Sequence, residues 1–140
     1  MFKNILLFTI LMCISLTISG CSKKFTFESD ELKNDINKVE ILFYSSPSDS
    51  EILVTIEEKN DLEDFINEFS KIKLTITFGA PGNIDGYCIK LIYNNNNYYL
   101  ITNNHMEFRD ENNNLTKENR IKLDGSQFED LINTLICKQI

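Results

Sequence analysis

The chain has 140 residues and a formal net charge of −7, with 14 Lys and Arg residues against 21 Asp and Glu residues. This length suffices for one small domain with a single hydrophobic core. The acidic balance and the lack of a basic stripe argue against nucleic acid as a partner, because Lys and Arg would be needed to neutralise phosphates.

The N-terminal segment has the pattern of a secretory signal peptide. Lys3 precedes an apolar run from Ile5 to Ile18, and small residues and a cysteine follow in the order Ile18-Ser19-Gly20-Cys21. The run is shorter than the roughly 20 residues that a membrane-spanning helix needs. It is therefore predicted to be a cleaved leader.

The ending of this segment resembles the lipobox of bacterial lipoproteins, in which a branched apolar residue and small residues precede a cysteine. The resemblance implies that Cys21 carries a diacylglyceryl group and that residues 1–20 are removed. The acyl chains would hold the protein on the outer face of the cell membrane. The abundance of Asn, Ile and Lys is typical of low-GC Gram-positive bacteria. The alternative is an ordinary signal peptide with a cysteine near its end.

Two predicted regions follow the leader. Residues 21–36 are polar and predict a tether, and residues 37–140 form the single domain. Apolar residues alternate over residues 39–44 and again over 52–57, which predicts two strands joined by a turn at residues 45–50.

A helix is predicted next, because apolar residues recur at spacings of three and four. Asn60 is placed as its cap, with Glu63 three residues later. The apolar face consists of Leu62, Phe65, Ile66, Phe69 and Ile72. Alternation over residues 73–78 predicts a half-buried strand.

The second half of the chain predicts a loop at residues 79–86 and then mostly strands. A hairpin spans residues 87–102 with its turn at Asn94–Asn97, and a short strand lies at residues 106–109. Ile121 and Leu123 mark a last short strand or an extended link.

A second amphipathic helix closes the chain. Ser126 and Glu129 form the S-x-x-E pattern of a capping box at its start. Two helices with one apolar face each should lie on a sheet. The predicted fold is therefore α+β, with two layers and a mostly antiparallel sheet of about five to six strands.

No residue pattern predicts catalysis, a cofactor or a metal. His105 is the only histidine, and its polar neighbours predict a solvated side chain. The oxygen-rich segment Asp110–Asn114 lacks the spacing of a calcium loop and predicts a solvated turn. Acidic pairs such as Glu57-Glu58 and Glu63-Asp64 predict solvated polar faces.

Cysteines and tyrosines are the remaining candidates. Export permits a disulfide between Cys88 and Cys137, and the alternative is two buried free thiols. Tyr side chains combine a large apolar body with a polar tip, so a cluster of them is a candidate binding surface. That cluster consists of Tyr87, Tyr93, Tyr98 and Tyr99.

The order of elements in the domain resembles small Gram-positive lipoproteins that carry a domain of unknown function. The likeness lies in the helix at residues 61–72, the loop Ala80-Pro81-Gly82 and the hairpin at residues 87–102. It brings no catalytic residues.

We therefore expect a non-enzymatic envelope lipoprotein that binds a protein or a cationic peptide. One form of that role is bacteriocin immunity. Two alternatives are an enzyme or small-ligand receptor with a site built from scattered carboxylates, and a structural envelope protein.

Overall fold

The computed structural model describes residues 23–25 and 35–138. The predicted leader, Cys21 and most of the predicted tether lie outside these residues. The described elements, in chain order, are β1 (Lys23–Phe25), β2 (Ile36–Ser46), β3 (Asp49–Ile56), α1 (Lys59–Phe69), β4 (Leu74–Thr77), β5 (Gly86–Tyr93), β6 (Tyr98–Ile101), β7 (His105–Arg109), β8 (Leu115–Leu123) and α2 (Gly125–Lys138).

All strands join one sheet in the order β1-β4-β8-β7-β6-β5-β2-β3, and every neighbouring pair is antiparallel. The predicted α+β class and the mostly antiparallel sheet are confirmed, but the predicted count of five to six strands is too low. Seven strands lie within residues 35–138. In addition, Lys23–Phe25, placed by the sequence in the tether, pairs with β4 at one edge.

One face of the sheet packs against both helices and forms the main core. The strands contribute fully buried side chains such as Val39, Ile41 and Leu91. α1 contributes Phe65 and Ile66 among others, and α2 contributes Phe128 and Ile132. Within the described part of the chain, neither helix is long and apolar enough to cross a membrane.

The opposite face of the sheet carries a second, smaller cluster of Leu42, Cys88 and Leu100. Ile84, from the connection between β4 and β5, packs against it together with Tyr44 and Tyr98. The sheet therefore has apolar cover on both faces, but the cover on this second face is a loop rather than a helix.

Both helices begin before the predicted caps. α1 starts at Lys59 after Glu58, which makes no side-chain cap hydrogen bond, so the predicted Asn60 cap is wrong. α2 starts at Gly125, and the Phe128 amide donates to the Asp124 carbonyl. The Ser126 hydroxyl bonds the Asp124 carboxylate at 2.9 Å, so the predicted capping box with Glu129 is not supported.

The position of the core can be tested by replacing two isoleucines, one on each of the paired strands β2 and β3. Ile41 is fully buried, whereas Ile52 is 55% exposed. We expect Ile41→Ala to lower the free energy of unfolding by about 2–5 kcal/mol, because it removes apolar contacts and leaves a cavity. Ile52→Ala should cost less than about 1 kcal/mol. Urea unfolding monitored by circular dichroism measures both, and equal losses would contradict this core assignment.

Candidate functional site

A groove of about 710 Å³ lies between the two helices and β3. β3 is the last strand of the sheet on this side, and α1 follows it after two residues. The groove has an apolar floor, because the inward-facing residues of β3 and of both helices meet there. This floor consists of Val54, Ile56, Phe65, Leu131 and Leu135.

Carboxylates line the rim of the groove. Asp61, Asp64 and Glu68 follow one another at spacings of three and four, so α1 presents them on one side, next to its buried apolar face. Glu57 and Glu58 add two more at the start of that helix. The only cationic lining residue is Lys138, which leaves the lining a formal charge of −4.

Two of the five carboxylates have cationic partners. Lys71 lies 2.6 Å from Glu68, and Lys38 lies 3.6 Å from Glu57. Lys38 makes its closer contact with Glu40, at 3.0 Å, and this hydrogen bond is the main cause that raises the pKa of Lys38. Lys38 therefore remains charged at neutral pH.

The other three carboxylates have no such partner. Among the described residues, no Lys or Arg nitrogen lies within 4.0 Å of the carboxylates of Glu58, Asp61 or Asp64. All three residues are exposed. They are therefore available to a cation from outside the chain.

This arrangement is suited to binding Lys and Arg side chains. Such side chains can lay an aliphatic stem on apolar surface while the charged head group reaches a carboxylate. The sequence predicts solvated faces for the acidic pairs that contain Glu57, Glu58 and Asp64, with a site built from scattered carboxylates as an alternative. Their position beside an apolar floor depends on the packing of α1, α2 and β3, which local periodicity does not reveal.

The four tyrosines of the predicted binding surface are not brought together. Tyr93 and Tyr99 pack with Phe108 against the main core, with ring centroids of Tyr99 and Phe108 4.6 Å apart. Tyr98 faces the other side of the sheet, where Lys90 Nζ lies 4.6 Å from its ring centroid. Tyr87 contacts Phe43 in an edge-to-face pair at 5.3 Å.

The two cysteines of the described residues are free thiols, so the predicted disulfide between Cys88 and Cys137 is not formed. Cys88 is buried on the sheet face away from the helices, whereas Cys137 is exposed on α2. The sheet thus separates the two thiols. The alternative of two buried thiols is right for Cys88 only.

His105 is buried, whereas Asp110 lies in an exposed turn and is held there by hydrogen bonds. His105 is 2% exposed, so the predicted solvated histidine is wrong. It opens β7 and is held by Thr102, whose hydroxyl accepts from the His105 amide at 3.1 Å. Asp110 is fully engaged in its turn, because its carboxylate accepts from the Asn112 and Asn114 amides and from the Asn114 side chain. These bonds, chiefly those from Asn114, lower the pKa of Asp110.

Comparison with known proteins finds no match to a family model, to a curated protein or to a solved structure. The site is therefore interpreted from its own geometry.

The two free thiols should differ strongly in reactivity. Burial raises the pKa of Cys88 to about 12, so roughly one molecule in 10⁴ carries the reactive thiolate at pH 8. We expect iodoacetamide to label the peptide containing Cys137 in the native protein and to leave the Cys88 peptide unlabelled. Mass spectrometry of the digested protein measures both, with a urea-denatured sample as the control. Rapid native labelling of Cys88 would contradict its buried position.

Proposed function

We propose that this protein is a non-enzymatic, lipid-anchored extracytoplasmic lipoprotein whose domain binds a cationic peptide segment in the cell envelope. The observation that carries the proposal is the acidic groove between α1, α2 and β3. Charge complementarity favours a cationic ligand, because five carboxylates and one ammonium group surround an apolar floor. A bacteriocin-immunity role would be one case of this function.

The proposed binding combines two contributions. Apolar side chains of the peptide, and the stems of its Lys residues, cover the floor formed by Phe65, Leu131 and Leu135. Each exposed ion pair at the rim contributes at most about 1 kcal/mol. The carboxylates therefore mainly accelerate and orient the encounter, and that contribution weakens as salt screens the charges.

The proposed anchor follows from the resemblance of Ile18-Ser19-Gly20-Cys21 to a lipobox. Two acyl chains on Cys21 would give stable attachment, whereas a single chain binds a membrane only marginally. An acidic domain is repelled by anionic lipid head groups. The groove would then face the aqueous envelope, where a soluble peptide can reach it.

Peptide binding can be tested with residues 22–140, because the buried core residues of the described part of the chain lie between Ile36 and Ile132. The probe is a fluorescein-labelled peptide of alternating Lys and Val. We expect Asp61→Asn with Asp64→Asn to weaken its binding about three- to tenfold at low salt, since two unpaired carboxylates are neutralised. Fluorescence anisotropy gives the Kd, and 0.5 M NaCl should weaken binding to the unmodified protein.

The matched control is Glu129→Gln with Asp130→Asn. It makes the same change in net charge on exposed residues near the start of α2, outside the groove lining. We expect its Kd to stay within about twofold of the parent value. Equal losses in both double variants would indicate attraction to overall charge, and no loss in either would exclude the groove as the site.

The anchor has its own test in the producing cell. Cys21→Ala should abolish incorporation of a labelled fatty acid and move the protein out of the membrane fraction. Cys13→Ala is the matched control, because Cys13 lies within the predicted leader and should leave labelling intact. Fatty-acid labelling of the Cys21→Ala variant would contradict lipidation at this residue.

A further inference from the structure

A histidine and two glutamates meet on the sheet face away from the helices. His105 and Glu107 are two residues apart on β7, so both side chains point to the same face. Glu118 on β8 is the direct cross-strand partner of Glu107. The three residues offer one imidazole nitrogen and two carboxylate oxygens, all within 4.8 Å of one another.

The two distances from His105 Nε2 to the carboxylates fit a shared cation. His105 Nε2 lies 3.3 Å from Glu107 Oε2 and 3.6 Å from Glu118 Oε1. Ordinary N–H···O bonds are about 2.7–3.2 Å long. Two ligand atoms at about 2.1 Å from a tetrahedral zinc ion lie about 3.4 Å apart. Both distances from Nε2 are close to that value.

The surroundings fix the two ligands on β7. Arg109 Nε donates to Glu107 Oε1 at 2.6 Å, which orients the carboxylate and leaves Oε2 directed at the histidine. His105 is 2% exposed, and its Nδ1 has no hydrogen-bond partner in the described part of the chain. Only the Nε2 side of this buried ring therefore meets polar groups, and that side points at the two carboxylates.

We propose that His105 Nε2, Glu107 Oε2 and Glu118 Oε1 bind a divalent transition-metal ion of the zinc class. An imidazole nitrogen with carboxylate oxygens is a ligand set that zinc accepts, whereas Ca²⁺ and Mg²⁺ prefer oxygen ligands alone. The site is independent of the acidic groove, which lies on the other face of the sheet.

The site has an entry path and an open coordination position. The Glu118 side chain is 38% exposed, so solvent reaches the cluster from this side. Three protein ligands leave the fourth position of a tetrahedral ion for water. The nearby cations do not occupy it: Arg109 is bound to the far oxygen of Glu107, and the Arg120 guanidinium lies beside Gly79.

The single histidine of the chain makes a direct test. The full-length chain is purified in non-ionic detergent without a polyhistidine tag, and bound metal is removed with a chelator. ZnCl₂ is then added at constant pH while NMR records the imidazole signal of His105. One equivalent should shift the lone imidazole signal to a new, saturated position, whereas MgCl₂ and CaCl₂ should leave it in place. An unmoved signal, or equal shifts with Mg²⁺, would overturn the proposal.

The zinc affinity of each variant, measured by competition with a chromophoric chelator, is a second test of the proposal. Glu118→Gln preserves shape at a part-exposed position and should weaken zinc binding at least about tenfold, because it removes one charged ligand. Glu111→Gln, an exposed glutamate outside the cluster, is the matched control and should bind as the parent does. Undiminished zinc binding by Glu118→Gln would also overturn the proposal.

Discussion

The connection between β4 and β5 is the constraint on which the rest of the sheet depends. β4 and β5 are consecutive in sequence but four strand positions apart, a distance of about 19 Å. Residues 78–85 must cover that span, and nine Cα steps reach at most about 32 Å. The connection is therefore long enough to cross the sheet, and it passes Arg120 at Gly79 and Asn104 at Gly82. Ile84, near the end of the connection, packs against the second cluster and so covers the buried Cys88.

The two faces of the sheet consequently have different chemistry. On one face, the helices exclude water from a large apolar core, and polar groups remain only at the margins, where the acidic groove lies. On the other face, the cover provided by the described residues is a loop, and charged side chains such as Glu40, Glu107 and Arg109 are partly or wholly buried among their own partners. Burial of that kind requires each charge to have a counter-charge close by.

Much of the fold could be predicted from periodicity, and the failures have physical causes. The alternation of Ile52, Val54 and Ile56 was sufficient to identify β3. Ile121 and Leu123 predict only a short strand or an extended link, yet β8 runs over nine residues and includes the polar residues Thr116 to Asn119. Its backbone pairs with β4 and β7 on both sides, and hydrogen bonding to two neighbours outweighs a polar composition.

The sites were less accessible to sequence reasoning. The predicted strand at residues 106–109 begins after His105, whereas β7 begins at His105, so the shared face of His105 and Glu107 is not predicted. Glu118 enters only once the β7–β8 register is known. The polar neighbours of His105 predict a solvated side chain, whereas in the sheet His105 is buried beside Glu107 and Glu118. The groove likewise needed the tertiary arrangement of α1 against α2, although the acids of α1 were visible in the sequence.

The edge position of β3 also bears on self-association. An outermost strand can pair with the same strand of a second molecule, and charged side chains oppose this. Asp49 and Glu51 on the strand, with Glu57 and Glu58 just beyond it, would bring like charges together in such a pair. A cation that neutralises these carboxylates lowers the electrostatic barrier between two edges. If a cationic ligand occupies the groove as proposed, it would neutralise Glu57 and Glu58, and clustering of copies through this edge would become easier.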